Sequence, residues 1–490
     1  MPFLAPILSS AVGSFLVRLA ITYVIGRIQQ NAMEKKMEAM QKRAGAVMVN
    51  TASNSEPLNL IYGRSRVGGN RTYTETTNGA GDIKGTQYLN MVLSMGEGEL
   101  GDIRQLWFDD KLVWDVAAGG TTTSAGNGIR LQTFRSDGLP AEETETPFAG
   151  ALNDADTYII YHSGSDSQAY DTVLRDSVGA TNWTSNHRLR GVAYITLKLK
   201  ANAGSYKGGL PLITAVVNGK NIQNVSTISS GQTTRSFNTV GNDQNPVDVL
   251  YDILVSKRYG KGLDHDGSGN YSAGLHIDLD SFKAARTKVN GYFKINGVLG
   301  TGTAVYNNVG EILESMNGIL VFQNGRYRLR IKQQNETSVK TFTYDEILSP
   351  ISIDLPAKEN KYNKMTAVFR NKGSDHNYND DIVISDNGTY RNEDNGVTLE
   401  GQIRLDLVDD PVLVQSISDF QMNESRYQMV IKFDAPHTAL KVECGDIIGV
   451  QDTNFGWDTP KLFRVAQMEL TQENTINITG IEYNSSIQLV

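Results

Sequence analysis

The stretch from Ser53 to Trp114 constrains the fold more than any other part of this chain. It contains SNSEPLNLIYGRSRVGGNRTYTE and then YLNMVLSMGEGELGDIRQLWFDDKLVW. Two apolar runs, Leu58–Tyr62 and Tyr88–Leu93, are each closed by a glycine-punctuated segment, IYGRSRVGG and GEGELG. β-Branched and aromatic side chains fit a pleated, half-buried surface, and glycine supplies the positive φ that tight turns demand. The pattern predicts strands joined by tight turns in a mostly β domain.

At 490 residues the chain is long enough for several cores, and 39% hydrophobic with 20% charged residues excludes wholesale disorder. Glycine outnumbers proline 47 to 12 with no triplet period, which favours short strands and many turns over long helices. The expected class is α+β, predominantly β, and multidomain. The expected segments are 1–50, 51–120, 121–225, 226–343 and 344–490. A single cysteine, Cys444, cannot form an internal disulfide, so assembly in a reducing compartment is the natural reading. Cys444 itself reads as a small buried apolar residue rather than a reactive thiol. A net charge of −8 argues against a nucleic-acid-binding surface. It leaves room for a conduit whose acidic wall lets DNA slide past.

The N-terminus carries two apolar patterns. Phe3–Ile28 is free of charge only up to Val17, where Arg18 interrupts it, so it is a borderline membrane span. No positive charge precedes it, which disfavours a signal peptide. The favoured reading is a helix packed inside an oligomer, with Leu16, Ile21, Val24 and Ile25 as lumen or membrane contacts. Next, Met33, Met37, Met40 and Ala44 follow a 4-3-4 spacing between charges, and the three methionines are expected trimer contacts. A single helix packed on a domain surface is the alternative.

Beyond Trp114, AAGGTTTSAGNG reads as a small-residue loop, whereas TYIIYHS and VAYITLKLK read as strands. Residues 225–245 read as a polar loop. Helices are expected over Pro246–Gly260, Leu279–Asn290, Asn308–Met316 and Leu413–Met422. Asn324-Gly325 between alternating runs predicts a two-residue hairpin.

Candidate chemistry is sparse. Asp264, Asp266, Ser268 and Asn270 occupy positions 1, 3, 5 and 7 of a calcium-type loop with Gly269 at 6. Leu275 stands where the closing bidentate glutamate belongs, and the polar-turn reading is favoured. Gly208–Lys220 lacks the GK[ST] phosphate cradle and reads as a strand. The pairs Glu97/Glu99 and Asp109/Asp110 could serve glycoside hydrolysis only if they faced each other across a cleft, and solvated turns are the default. DHNYNDD (Asp375–Asp381) reads as a solvated loop. Six scattered histidines show no metal spacing, and no G-x-S-x-G or H-E-x-x-H occurs. No catalytic residue, cofactor site or metal site is assigned.

Ordered landmarks along the chain carry a resemblance. They are Ile61-Tyr62-Gly63 with Arg66-Val67-Gly68-Gly69, SMGEGEL (Ser94–Leu100), Trp107-Phe108-Asp109, and His187-Arg188-Leu189-Arg190-Gly191 with Ala193-Tyr194. Gly208–Pro211 leading to Val217-Asn218-Gly219-Lys220 follows, then the helix ending in Tyr259-Gly260, DSFKAA (Asp280–Ala285), and Gly445-Asp446. Together they resemble the phage tail-tip hub family, the tip attachment proteins of lambda-type tails, from about Asn54 to Tyr483. The resemblance implies a trimeric hub with two tube-like β-domains per subunit, matching a sixfold tube to a threefold tip. It implies a structural virion protein at the tail tip, assembled in the bacterial cytoplasm. Its implied partners are two further copies, the distal tail or tube protein, the tape measure, and tail fibres or a receptor-binding protein. The hub would open for genome ejection, DNA passing without specific binding, with host-membrane contact by the N-terminus as a further expectation. A tail-associated glycan or peptidoglycan hydrolase and a membrane-anchored surface protein are the alternatives.

Overall fold

The computed structural model describes residues 48–53, 55–78, 87–132, 157–200, 210–237, 244–332, 336–355, 361–373, 378–471 and 474–487. Leu16, Ile21, Val24 and Ile25, with Met33, Met37 and Met40, lie outside the described residues. Among the described residues no helix is long and apolar enough to cross a membrane.

The first half of the chain is built from β1 (Asn59–Tyr62), β2 (Arg64–Val67), β3 (Asn70–Asn78), β4 (Gln87–Glu97), β5 (Ile103–Phe108) and β6 (Lys111–Asp115). It continues with β7 (Thr121–Ala125), β8 (Gly128–Gln132), β9 (Tyr158–His162), helix α1 (Thr172–Val178), β10 (Val192–Lys200) and β11 (Ile213–Asn218). A six-stranded sheet, β3-β4-β10-β9-β8-β7, packs against a four-stranded sheet, β2-β11-β5-β6. Alternation decides which side chains meet between them. Leu93, Ile159, Ile195 and Leu197 come from the larger sheet, and Leu106, Phe108, Ile213 and Ala215 from the smaller. The opposite face of the larger sheet carries Val92 and Tyr194, covered by Leu174 and Val178 of α1 and by Trp183. The expected small-residue loop after Trp114 is instead the hairpin β7–β8. Gly126 and Asn127 supply φ of +60° and +66° at its two-residue turn, and its three threonines are good strand formers.

The second half begins with helices α2 (Pro246–Val255) and α3 (Leu279–Val289), strand β12 (Gly297–Gly300) and helix α4 (Val305–Ser315). The hairpin β13 (Gly318–Gln323) and β14 (Arg326–Ile331) turns at Asn324-Gly325, as the sequence predicts. Then come β15 (Lys340–Thr343), β16 (Ser352–Asp354), β17 (Lys364–Asn371), β18 (Asn379–Asp386), helix α5 (Gly388–Glu393), β19 (Glu400–Leu405) and helix α6 (Pro411–Glu424). The chain closes with β20 (Val430–Ala435), β21 (Ile447–Asp452), β22 (Trp457–Leu470) and β23 (Ile476–Glu482). The reading of Asp375–Asp381 as a solvated loop is corrected here, because Asn379, Asp380 and Asp381 open strand β18.

All ten residues of α2 are buried, which is why its pattern is apolar nearly all round. Asn245 caps it through Val247 N–H, and Pro246 occupies a first-turn position where no N–H is needed. Around α2 gather α3, α4, the β13–β14 hairpin, and the sheet β18-β17-β19 with α6. This core crosses the expected boundary between 226–343 and 344–490, since Met365, Phe369 and Ile417 belong to it. The last six-stranded sheet, β15-β21-β22-β23-β20-β16, encloses a separate core around Phe342, Phe433, Val450 and Phe463.

Strand β1 explains the first landmark. It pairs antiparallel with β12, and Leu60, Ile61 and Tyr62 are all fully buried. Leu60 and Tyr62 face the helix core while Ile61 faces the sandwich core. A strand buried on both faces must read as a continuous apolar run. Gly63 follows at φ +66°, where any Cβ would collide with the carbonyl oxygen of Ile295.

Candidate functional site

Behind β1, where sandwich and helix cores meet, lies a cluster of buried charge. Asp252 of α2 is 1% exposed and accepts from Tyr62 OH at 2.9 Å, Tyr259 OH at 2.8 Å and Arg235 Nη2 at 2.8 Å. Lys220, just past β11, is 5% exposed. Its Nζ donates to the Glu97 carbonyl at 3.3 Å and lies 4.5 Å over the Tyr259 ring. Glu97, at the end of β4, is buried and paired with Arg258, Nε to Oε1 at 2.9 Å and Nη2 to Oε2 at 3.1 Å. Gly98 sits at φ +83°, which glycine tolerates best, and a Cβ there would press on Lys220 Nζ. The reading of Glu97 as a solvated turn residue is therefore corrected: its partner stands 161 residues away in the chain.

The electrostatics follow from burial. Burial alone would raise Asp252, but Lys220, Arg235 and the Tyr259 hydroxyl outweigh it and hold the carboxyl below its ordinary 3.8. Burial pushes Lys220 below its ordinary value, with Asp252 and Glu97 opposing. Burial also raises Glu97, against Arg258 and Lys220. Asp252, Lys220 and Glu97 are desolvated and each is answered by an opposite charge, whereas Arg258 keeps its guanidinium largely in solvent; for the buried groups, removing one partner costs most. The cluster ties β1, β4, the segment after β11, and α2 into one unit.

A cavity of about 180 Å³ lies among Val49, Glu56, Leu58, Asn70, Met95 and Thr303, and Glu56 is the acidic group in its lining. His162 and Asp171 form a buried pair, Nε2 to Oδ2 at 3.0 Å. Asp171 also caps α1 through Leu174 N–H, and the His162 ring stacks on Tyr194 at 4.3 Å. The pair pins α1 to the sheet. Asp109 and Asp110 form the β5–β6 turn with positive φ. Asp110 pairs with the buried Arg66, which lies 4.5 Å over Trp107, and Asp109 accepts from Leu212 N–H at 2.7 Å.

The calcium-like loop is engaged by the chain itself. Asp264 is fully buried and accepts from the N–H groups of Gly274, His276 and Ile277 and from Tyr251 OH. Asp266 accepts from Ser268 and Asn270 N–H, closing its own turn. These bonds point the two carboxylates to different partners. Among the described residues no three His, Cys, Asp or Glu side chains converge as a metal cage. Cys444 is half-buried, and burial raises its thiol.

The chain is 21% identical over 519 aligned residues to the baseplate hub protein pb3 of Escherichia phage T5, an alignment covering 95% of this chain. The chain resembles a phage tail hub protein along nearly its whole length. It spans about half of that relative, 51% of its length. No family model matches the sequence. The fold matches a chain from the virion of a native gene transfer agent particle with a TM-score of 0.61 and 13% identity. That match covers 99% of this chain and 97% of the other. Four of the landmark residues, Tyr62, Glu97, Lys220 and Tyr259, meet at the seam between the two cores.

Proposed function

We propose that this chain is a structural virion protein, the baseplate hub of a phage-type tail, working as adaptor and plug rather than as an enzyme. The observation that carries the reading is the similarity to a baseplate hub protein along 95% of the chain. Three copies would close the end of the tail tube, bind the distal tail or tube protein and the tape measure, and carry fibres or a spike. They would open to release DNA during entry. Two six-stranded sheets per chain support this, because three chains then present six such sheets, two from each, to a sixfold tube. The buried charge between sandwich and helix cores suits a part that transmits force, since it fixes their relative orientation.

Proteomics of purified tailed particles tests the reading. The chain is expected in mature particles and in isolated tails. Its absence from both would overturn the hub assignment, and cleared bands on a cell-wall zymogram would overturn the non-enzymatic part.

A further inference from the structure

We propose that the outer edge of β18 is a docking site for an extended, basic-flanked apolar segment of another tail polypeptide, added as a further strand. This rests on the hub reading and names one partner class for it. The sheet order β18-β17-β19 leaves β18 at an edge, with no neighbour on its far side among the described residues. The strand runs eight residues against β17 without a register shift, so no bulge twists it away. It contains no proline and no lysine, the usual devices that blunt an edge.

Register fixes which groups face outward. Asn387 N–H donates to the directly opposed Asn363 carbonyl at 2.9 Å, so position 387 forms a hydrogen-bonded pair with β17. In an antiparallel ladder such pairs alternate. Positions 385, 383 and 381 therefore bond to β17, while 386, 384, 382 and 380 turn their N–H and C=O away from it. One contact agrees: Ile382 N–H is taken by the neighbouring Asp381 carboxylate at 2.8 Å. The outward-bonding residues are also those whose side chains stand on the sheet face opposite α6. That helix lies on the other face, where Gln415 donates to Ser385 at 2.6 Å. Ile382 and Ile384 are 57% and 55% exposed, beside Val368 and Thr366 of β17. Outward hydrogen bonding and side-chain exposure thus coincide on four alternate residues, of which Ile382 and Ile384 form the apolar pair, the geometry of strand addition.

Charge states the partner's chemistry. Asp380 and Asp386 flank the two isoleucines, and Asp381 lies between. Arg404 answers Asp380 but is shared with buried Asp406, and Arg391 answers Asp386. Asp381 is exposed and has no cation within ion-pair distance among the described residues, its carboxyl held low by hydrogen bonds from Asn371 and Ile382 N–H. A strand with two aliphatic or β-branched residues two apart, bordered by Lys or Arg, complements this edge.

The test carries a benzophenone amino acid at position 384 in the full chain, within assembled particles. Irradiation is followed by peptide mapping of the adducts. The expected adduct joins position 384 to one extended segment of a different polypeptide with the alternating, basic-bordered pattern. Adding Ile382→Asp on the exposed face should leave the melting temperature of the chain unchanged and cut the adduct yield about tenfold or more, the worth of one desolvated aliphatic contact. Adducts to the same chain or a second copy, yields indifferent to Ile382→Asp, or no adduct in particles that contain the chain would each overturn the proposal while leaving the hub reading intact. Particles lacking the chain would sink both.

Discussion

At the scale of single residues, the seam between the cores concentrates the sharpest consequences. Replacing Asp252 with Asn keeps its volume but leaves Lys220 and Arg235 without their shared anion. Loss of one buried partner costs about 3–5 kcal/mol, measurable as a shift in urea midpoint at pH 7. The sign of the pH dependence follows from the native carboxyl lying below its ordinary 3.8. Folding favours the ionised form, so the contribution is whole above the unfolded value and fades as pH falls through 3.8 toward the native value. The gap between wild type and Asp252→Asn should therefore narrow below pH 3.8; a gap that widens in acid would contradict the assignment. Asp264 makes a different case. Asp264→Ala strips three backbone N–H groups and one tyrosine hydroxyl of their acceptor, at a cost of about 2–4 kcal/mol. Calorimetry should give the same wild-type melting temperature in calcium and in a chelator. A rise of several degrees on adding calcium would mean that the loop binds the ion.

At the scale of elements, the sequence disclosed what local chemistry determines. The glycine-closed strands, the four longest helices and the Asn324-Gly325 hairpin lie where pattern and turn residues put them, except that α2 stops at Val255, short of the expected Gly260. Hairpin β7–β8 is hidden in the sequence because its threonines and glycines have loop composition, although Gly126-Asn127 is a turn signal. Helices α1 and α5 are only seven and six residues long, too short to show a periodic face. Glu97 and Lys220 were illegible for another reason: their partners come from remote segments, and no local pattern announces a buried ion. Two glycines separate local from tertiary demands. Gly325 sits at φ +79° in open space, so Gly325→Ala should cost only the left-handed penalty of about 1 kcal/mol. Gly63 has a similar φ but also presses on the Ile295 carbonyl, so Gly63→Ala should cost about 3 kcal/mol or more. Equal melting temperatures for the two variants would show that β1 can move away from β12, contrary to its double burial.

At the scale of the whole molecule, copy number is the property on which the adaptor argument turns. A sheet system meets a tube one position at a time, and each chain offers two six-stranded sheets on separate cores. Ion pairs join the second of these to the middle of the chain: Arg328 and Arg330 of β14 reach Glu443, and Arg330 also reaches Asp446. The seam around Asp252 joins the first sheet to that same middle. Both sheets are thereby attached to the α2 core, and on the proposed hub reading a chain would span two adjacent positions of a ring instead of one. Closed cyclic assemblies are the general expectation for soluble oligomers, and two positions per chain in a sixfold ring gives three chains. Quantitative mass spectrometry of purified tails, scaled to a ring protein present in six copies, should return half that number for this chain. Six copies would leave six sheets without a tube position and overturn the trimer. The seam can be tested in the same particles. Tails assembled with Asp252→Asn should keep three copies yet come apart at lower urea than wild-type tails, because a weakened seam would let the first sheet shift against the α2 core. Variant tails as resistant as wild type would separate the seam from the assembly and reduce it to a feature of the isolated fold.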